Sequence, residues 1–260
     1  MTRSVAFNPR DEVSFVILSC DRYSDLWDPF FGCFDKYWPD CPFKLFLVTN
    51  HSRYERPGVS VVSIGPDRDY ATNLLTVLDT VTTPWIILWV EDYFLTNTIN
   101  TARLFSILEE AVSKGADYLK LTEDAPLSYN DAHGAQVGEI PRGVKYRSAI
   151  GTALYRRETL RKLLIPGMSI WQLDKSQRSN ELTDVFMALT LKSAKNPPLP
   201  IINSVIKGRW HWSAPSFLRR EGFGEVVPGR KRQTFLGYIY IRAYWIRMAI
   251  YHMLRRHWYD

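Results

Sequence analysis

The stretch that most constrains this chain is an uninterrupted apolar run from Trp85 to Val90, followed at once by Glu91 and Asp92. Six apolar residues in a row are typical of a strand that is buried on both faces, as strands of parallel sheets are. Ligands of open α/β sheets bind just beyond the carboxyl ends of the strands. The two carboxylates are therefore candidates to hold a divalent cation and, through it, a diphosphate. The alternative is that both acids end the strand and face solvent.

The first two-thirds of the chain alternate strand and helix patterns, which predicts a parallel or mixed sheet covered by helices. The predicted strands are 13–19, 44–49, 59–64, 85–90, 117–121 and 146–155. The predicted helices are 21–37, 69–81, 101–114, 158–164 and 181–193. A stretch rich in Gly, Pro, Asp and Asn, residues 122–142, is predicted to be a long loop that binds a ligand or closes over one.

The composition fits one large domain with an appendage, because 46% of the 260 residues are hydrophobic. We expect a main domain over 1–233 and a helical segment over 234–260. No 18-residue apolar run is present, so no membrane-spanning helix is expected, and residues 1–10 do not resemble a signal peptide. The three cysteines lack metal-ligand spacing and are predicted to be free thiols in the cytoplasm.

The positive charge is concentrated at the carboxyl terminus of the chain. Residues 207–260 contain 11 Lys and Arg against three acids, whereas residues 1–206 contain 22 against 24. Such a tail favours an anionic partner, either membrane lipid, nucleic acid or an acidic polysaccharide. The helical pattern over 234–258 mixes arginines with aromatic and aliphatic residues, which suits a helix lying on the inner face of the plasma membrane. The alternatives are packing on its own domain or on a second subunit in a homodimer.

Several landmarks along the chain, taken in order, are similar to those of a known family. They are the Ser19–Trp27 stretch (SCDRYSDLW), Ala71–Leu74 (ATNL), Glu91–Asp92, Leu154–Glu158 (LYRRE), Thr183–Asp184 and Trp210–Ser213 (WHWS). Together they resemble the GT-A glycosyltransferases, a fold that includes many bacterial cell-surface polysaccharide enzymes. The resemblance covers roughly 13–213. It implies a GT-A (Rossmann-like) mixed, mostly parallel central sheet flanked by helices, here followed by the aromatic and basic helix.

The resemblance also implies an activity. A sugar would move from a nucleotide-sugar donor to a hydroxyl of a glycan acceptor, and the acceptor would be lipid-linked, as in the synthesis of lipopolysaccharide and other surface polysaccharides. In the family, an acidic motif after a central strand holds Mg²⁺ or Mn²⁺ on the donor diphosphate. This chain departs from the usual spacing, because its two acids are adjacent and period-two alternation sends them to opposite faces. Asp92 is the expected metal ligand, Glu91 would orient the loop or contact the sugar, and His211 is a candidate third ligand or diphosphate contact.

Nucleotide-sugar contacts are implied at several positions by the same resemblance. They are Ser19, Asp21, Arg22, Asp67, Arg68, Asn73, Glu91, Asp92, Gly151, Thr152, Lys207 and Arg209. Lys207 and Arg209 would neutralise the leaving diphosphate. Asp21 would bond the base or ribose, although an acid at this position equally suits a helix N-cap.

Three acids are candidates for the catalytic base. Inverting members of the family carry an acid at the start of the helix that Asp184 is predicted to open, and this acid removes the proton from the acceptor hydroxyl. Asp174 and Glu181 compete for the same role. An acid in a first helical turn also suits the helix dipole without any catalytic role.

Other functional classes fit the sequence less well. A nucleotidyltransferase would carry a Gly-rich phosphate loop after its first strand, and none follows Ser19. An oxidoreductase of the Rossmann type would show G-x-G-x-x-G there. A nucleic-acid-binding protein would place its basic residues on a polar groove, so no nucleic-acid partner is expected. A GT-A-like scaffold without catalysis remains the alternative that the adjacent acids leave open.

Overall fold

The computed structural model describes residues 7–122, 134–148 and 152–256. These residues form a mixed eight-stranded sheet with helices on both faces, which confirms the predicted fold class. The strands of this sheet are β1 (Val13–Leu18), β2 (Lys44–Thr49), β3 (Val59–Ser63), β4 (Trp85–Val90), β6 (Tyr118–Lys120), β7 (Val137–Glu139), β8 (Ala153–Arg156) and β9 (Phe186–Leu189). Four short strands lie outside it: β5 (Tyr93–Leu95), β10 (Ile201–Asn203), β11 (Val205–Ile206) and β12 (Arg209–Trp210).

The helices follow the predicted alternation over most of the chain. The α-helices are α1 (Pro9–Glu12), α2 (Trp27–Tyr37), α3 (Tyr70–Thr80), α4 (Thr101–Ser113), α5 (Arg157–Leu163), α6 (Ile170–Ser176), α7 (Leu191–Ala194), α8 (Ala214–Glu221) and α9 (Phe235–Arg256). Helix α3 begins where the carboxylate of Asp69 accepts a hydrogen bond from the backbone N–H of Thr72 at 2.9 Å. Helix α4 begins in the same way at Asn100, and Gly115 follows its end in the left-handed region that glycine adopts freely.

The order of strands in the sheet is β3-β2-β1-β4-β8-β6-β9-β7. Neighbours β3, β2, β1 and β4 are parallel, and so are β6 and β9. Strand β8 is antiparallel to both β4 and β6, so β6 and β9 run in the same direction as β4. We call the edge at which β1 and β4 end the carboxyl edge, and the edge at which they begin the amino edge.

The apolar run that opened the sequence argument is buried on both faces, as predicted. Ile87 and Trp89 belong to the hydrophobic cluster under α2, α4 and α8. Ile86 and Leu88 point the other way, into the cluster under α3, α5 and α6. Alternate side chains of a strand face opposite sides of the sheet, so a central strand needs apolar residues at every position.

One predicted element is wrong. The helix predicted over 181–193 is replaced by strand β9, which lies parallel to β6 and has all four residues buried. Because a short apolar run fits a buried strand as well as a buried helix, periodicity could not separate the two. Asp184 therefore precedes a strand and does not open a helix.

The middle of the chain also differs from expectation in detail. The predicted loop 122–142 contains strand β7, which pairs with β9, while residues 123–133 lie outside the described ranges. The strand predicted from Tyr146 is shorter, because 145–148 form turns and only Ala153–Arg156 pair with the sheet. Buried Arg147 explains the change: its guanidinium donates to the carbonyls of Ile140 and Ser179 at 3.0 and 2.7 Å and holds this segment off the sheet.

The predicted carboxyl-terminal helix is confirmed as α9. Within the described ranges, no helix is long and apolar enough to cross a membrane. Near its start, the Tyr238 ring packs against the rings of His211 and Trp212 at centroid distances of 5.7 and 6.0 Å. These contacts attach the first turns of α9 to the segment that follows β12.

Candidate functional site

The strand order places a ligand crevice at the carboxyl ends of β1 and β4. Order 3-2-1-4 changes the direction in which the chain winds between these two strands, and open α/β sheets bind ligands at such a switch point. Leu18 and Val90 are paired at this edge, and the N–H of Glu91 donates to the Leu18 carbonyl at 3.4 Å. The segments after both strands, beginning at Ser19 and at Glu91, are therefore neighbours.

The two adjacent acids lie at this edge without an ion-pair partner among the described residues. Glu91 is only 9% exposed, and Asp92 is half-buried. Burial, followed by the charge of Asp92, raises the pKa of Glu91 to about 8, and burial raises the pKa of Asp92 to about 7. Neither carboxylate forms a salt bridge with any residue that the structure describes. Buried carboxylates without a cationic partner favour a cation supplied from outside the chain.

A β-hairpin is attached directly to the backbone of this acid pair. The Asp92 carbonyl accepts hydrogen bonds from the N–H and the hydroxyl of Ser204 at 2.8 and 2.7 Å. Strands β11 and β12 follow, joined by Lys207 and Gly208, which have φ values of 51° and 73°. Two positive φ values in a two-residue loop are typical of a type I′ hairpin, whose twist matches that of its strands. The hairpin thereby positions Lys207 and Arg209 beside the carboxyl edge.

An open cleft of about 610 Å³ lies next to this hairpin and is lined mainly by cations. Its lining residues are Arg22, Ser24, Asp25, Lys207, Gly208, Arg209, Gly229, Arg230 and Lys231. The one acid, Asp25, receives two hydrogen bonds from Arg230 at 3.0 and 2.6 Å. No described acid forms a salt bridge with the other four cations, so the cleft has a net positive charge that suits a diphosphate.

Arg230 connects the cleft to the acid pair. Its guanidinium lies over the Tyr23 ring at 4.3 Å, and its charge opposes the rise in the pKa of both Glu91 and Asp92 that burial causes. The backbone of its segment is bound to β12, because the N–H of Trp210 donates to the Lys231 carbonyl at 2.9 Å. Arg230 and Lys231 were not among the site residues predicted from the sequence. The available signal was the basic run after Gly229, which was considered only as part of the positive charge of the carboxyl terminus.

The carboxylate of Asp21 is bonded to the protein backbone at this edge. It accepts from the backbone N–H groups of Asn50, His51 and Ser52 at 2.9–3.2 Å, which ties the end of β1 to the loop after β2. Burial opposes the effect, but these bonds hold the pKa of Asp21 below its usual value. The alternative role as a helix N-cap is wrong, because Cys20 is the N-cap of the 3-10 helix over 21–26. Since its oxygens are already bonded, Asp21 shapes the crevice.

The other residues predicted near the end of β1 also bond locally. The Ser19 hydroxyl accepts from the Trp27 indole at 2.8 Å. After β3, Asn73 donates to Asp67 at 2.7 Å, and the Arg68 guanidinium donates to the Thr76 hydroxyl at 3.0 Å. Burial first, and then the charges of Glu91 and Asp67 among others, raise the pKa of the Cys20 thiol. The charges of both the acid pair and the Asp67 loop therefore act on Cys20 at the end of β1.

Asp184 and Glu181 lie at the opposite edge of the sheet. Phe186 pairs with Tyr118, Tyr118 pairs with Tyr155, and Tyr155 pairs with Ile86, so Phe186 is level with Ile86. Asp184 precedes Phe186 by two residues and is therefore level with the start of β4. At about 3.3 Å per residue, roughly 20 Å of sheet separates Asp184 from the acid pair. Its carboxylate accepts from Thr159 and Lys162, and Glu181 is exposed and paired with Arg178. The assignment of Asp184 or Glu181 as a base acting with Asp92 is therefore wrong.

Asp174, the third candidate base, lies on a helix that packs near the carboxyl edge of the sheet. Helix α6 packs against the first turn of α3, where the N–H of Ala71 donates to the Met168 carbonyl at 3.1 Å. The Tyr93 phenol, directly after the acid pair, has its pKa raised to about 12 by burial first and then by the charges of Asp92 and Asp174. Of the three candidate acids, Asp174 alone shares the environment of Asp92.

The remaining predicted site residues are Thr152, Gly151 and His211. Thr152 lies at the carboxyl edge, because β8 runs antiparallel to β4, and its buried hydroxyl lacks a hydrogen-bond partner within the described ranges. Gly151 lies outside those ranges. The His211 ring contacts the Ser213 hydroxyl at 3.0 Å and the Tyr238 ring, and burial lowers its pKa. The described residues contain no group of three or more His, Cys, Asp or Glu side chains suited to a metal, so the predicted contribution of His211 to such a group is not found.

No protein-family model matches this chain, and no curated protein matches it in sequence. Several solved structures share part of its shape. Mannosyltransferase PcManGT from Pyrobaculum calidifontis, in complex with GDP-Man and Mn²⁺, is 15% identical over 95% of this chain and 71% of that one, with a TM-score of 0.47. TarS 1-349 from S. aureus in complex with UDP-GlcNAc is 11% identical over 69% of this chain, with a TM-score of 0.47.

The bifunctional IspDF from Campylobacter jejuni is 14% identical over 65% of this chain and 47% of that one, with a TM-score of 0.40. The match to the TarS fragment spans 56% of that fragment, so this chain corresponds to little more than half of it. All three TM-scores are below 0.5, and the assignments above rest on the geometry of this chain alone.

Proposed function

We propose that this protein is a glycosyltransferase that binds the diphosphate of a nucleotide-sugar donor in the cationic cleft beside Glu91 and Asp92. The observation that carries the proposal is a cleft lined by five cations, one of which, Arg230, also acts on the unpaired carboxylates of Glu91 and Asp92 at the switch point of the sheet. A diphosphate needs several cationic contacts, and an attached divalent cation needs carboxylate oxygens. Both are available within one crevice.

The cations of the cleft have two roles in this proposal. Lys207, Arg209 and Lys231 bind the phosphate oxygens, and they stabilise the negative charge that grows on the diphosphate as it leaves the sugar. Arg230 is held by Asp25 and stacked on Tyr23, so it supplies a fixed positive charge between the phosphates and the acid pair. A side chain locked by such contacts needs no rearrangement during the reaction.

Mg²⁺ or Mn²⁺ fits the acid pair. Mg²⁺ is usually bound by one or two carboxylates together with substrate phosphates and water, and it does not require a full cage of protein ligands. Asp92 and Glu91 would hold the ion, and when bound it would neutralise charge on the donor diphosphate. The absence of a three-residue ligand group among the described residues agrees with a site that the donor completes.

Asp174 is the base in this proposal. Its carboxylate would accept the proton of the acceptor hydroxyl while that oxygen bonds to the anomeric carbon and the bond from that carbon to the diphosphate breaks. The acceptor is a glycan, and we take it to be lipid-linked because of the basic, aromatic helix that follows the domain.

Two alternatives remain to be tested against this function. A protein that binds nucleic acid would use the same cations on a polynucleotide, with steep salt dependence. A GT-A-like scaffold would bind nothing in the cleft. The buried acid pair favours the enzyme over both, because two uncompensated carboxylates would repel a polynucleotide and would destabilise a scaffold without benefit.

A thermal-shift panel tests the proposed function. Nucleoside diphosphates and nucleotide sugars are each added with and without Mn²⁺, and nucleoside monophosphates serve as the matched control. A ligand at 100 times its dissociation constant stabilises the fold by about 2.7 kcal/mol, or roughly 5–10 °C for a chain of this size. We expect diphosphates to raise the melting temperature more than monophosphates do, and Mn²⁺ to increase the difference. Stabilisation by single-stranded RNA alone would support the nucleic-acid alternative, and no response to any ligand would support the scaffold.

A further inference from the structure

The exposed large hydrophobic side chains of this protein are concentrated on two helices. Among the described residues, every one of them lies on α6 or α9: Trp171, Phe235, Leu236, Ile239, Tyr240, Tyr244, Ile246 and Ile250. Single exposed apolar residues scattered over a surface are normal, whereas a concentrated patch marks an interaction surface. We call these two helices the α6–α9 surface.

The exposed residues of α9 form a stripe. At 100° per residue, Phe235, Ile239, Ile246 and Ile250 fall within a sector of about 60° around the helix. Each of the four is between 46% and 58% exposed. The first turn of the helix rests on the domain, because the rings of both Tyr238 and Phe235 pack against Trp212. The exposed part of the stripe therefore continues from Ile239 to Ile250.

Helix α6 carries the one exposed large hydrophobic residue in this group that lies outside α9, Trp171. Burial first, and then Tyr146, raise the pKa of the Tyr244 phenol of α9, and the charge of Lys175 on α6 opposes the rise. Trp171, one turn before Lys175 on α6, is 67% exposed. A tryptophan with its indole in water is typical of residues that anchor in a membrane interface.

The charge of the surface identifies its partner. Exposed Arg242 and Arg247 lie on either side of the stripe. From 226 to 259 the sequence contains seven Arg and Lys residues and no acid. A second copy of this chain would bring like charges together, whereas an anionic bilayer complements them.

We propose that the α6–α9 surface docks on an anionic lipid bilayer, with α9 lying in the plane of the headgroups. The apolar stripe and Trp171 enter the boundary of the acyl region, while the flanking arginines contact lipid phosphates. This inference goes beyond the proposed enzyme activity and does not depend on it.

Vesicle co-sedimentation of the full chain tests the proposal, with phosphatidylcholine vesicles that contain or lack phosphatidylglycerol. Replacing both flanking arginines (Arg242→Gln with Arg247→Gln) is expected to lower partitioning onto the anionic vesicles roughly 30-fold. Replacing two stripe residues (Ile239→Ser with Ile246→Ser) is expected to lower it at least about tenfold. Trp171→Ser tests the contribution of α6 separately. The control for charge is Lys44→Gln with Lys195→Gln, two exposed lysines elsewhere, which should leave binding nearly unchanged.

Sedimentation equilibrium and melting temperature are measured on each variant, so that loss of vesicle binding can be separated from unfolding. All the substituted side chains are exposed, and folded variants with weakened binding to anionic vesicles support the proposal. Equal binding to neutral and anionic vesicles would overturn it. So would a stable dimer that the Ile239→Ser and Ile246→Ser changes dissociate, in a chain that does not bind vesicles, because the stripe would then be a subunit interface.

Discussion

The two edges of the central sheet each contain a buried carboxylate, but in opposite electrostatic states. At the amino edge, Asp184 accepts hydrogen bonds from Thr159 and from Lys162, which also forms a salt bridge with it. Burial opposes the effect, yet these partners hold the pKa of Asp184 below its usual value. At the carboxyl edge, Glu91 and Asp92 have no ion-pair partner among the described residues, and their pKa values are raised to about 8 and about 7.

The difference teaches how to separate a structural acid from a functional one. A buried carboxylate whose charge is neutralised inside the protein contributes to folding, and its oxygens are not available to a ligand. A buried carboxylate without a partner lowers stability, and a bound ligand that supplies the missing charge would remove this cost. By this criterion the amino edge supports the fold, and the carboxyl edge is where we propose that the donor binds.

The largest expected effect comes from Asp92→Asn. The change removes a negative oxygen from the proposed cation site while keeping the shape of the side chain, so we expect sugar transfer to fall by about 10³-fold or more. The melting temperature should stay the same or rise, because an uncompensated buried charge is lost. Transfer is measured as release of nucleoside diphosphate, and unchanged turnover would remove Asp92 from the site.

The second largest effect is expected on ligand affinity when cations of the cleft are replaced. Replacing two of its cations, with Arg209→Gln and Lys231→Gln together, is expected to weaken nucleoside-diphosphate binding about 100-fold, since each cation contributes a charge-assisted hydrogen bond. Isothermal calorimetry measures the affinity, with the double variant Lys44→Gln and Lys195→Gln as the control for net charge. Equal loss in both double variants would mean that only the overall charge matters.

Asp184→Asn should give the reverse of the Asp92 result. Loss of the ion pair with Lys162 and weakening of the Thr159 bond should cost about 2 kcal/mol of stability. Turnover at a temperature where the variant is folded should be close to that of the parent, because Asp184 lies roughly 20 Å from the acid pair. Urea denaturation measures the stability, and a stable but inactive variant would restore Asp184 as a catalytic candidate.

Stability is also expected to depend on pH when no divalent cation is present. Glu91 and Asp92 bind protons more tightly in the folded chain than in the unfolded chain, because their folded pKa values are raised. Stability should therefore fall as pH rises from about 5 to about 7, by roughly 1 kcal/mol per pH unit for each carboxylate that stays protonated. Glu91→Gln should flatten this dependence, whereas Asp184→Asn should not.

Local patterns in the sequence were sufficient for much of the fold. The apolar run before Glu91 predicted a strand buried on both faces, and alternation of patterns predicted a mixed sheet with helices on both sides. They failed at β9, where Phe186–Leu189 is too short for its period to be read. They also failed at Arg147, because only tertiary contacts to Ile140 and Ser179 explain why that segment leaves the sheet.

The candidate site was predicted in part. Arg22, Lys207 and Arg209 were chosen from the sequence, and the structure places all three around one cleft. Arg230 and Lys231 were missed, because they reach the cleft only through the pairing of their segment with Trp210. Asp184 was misjudged because the sequence contains no sign of which sheet edge an acid will occupy.

What the sequence determined by itself is therefore the set of elements and the chemistry available: buried strands, a pair of adjacent acids, and a basic, aromatic helix. These follow from local spacing, since burial and period act over a few residues. Only the tertiary structure decided which charges are paired and which are open. Whether a carboxylate meets Lys162, as Asp184 does, or lies beside a cationic cleft, as Asp92 does, depends on contacts between residues far apart along the chain.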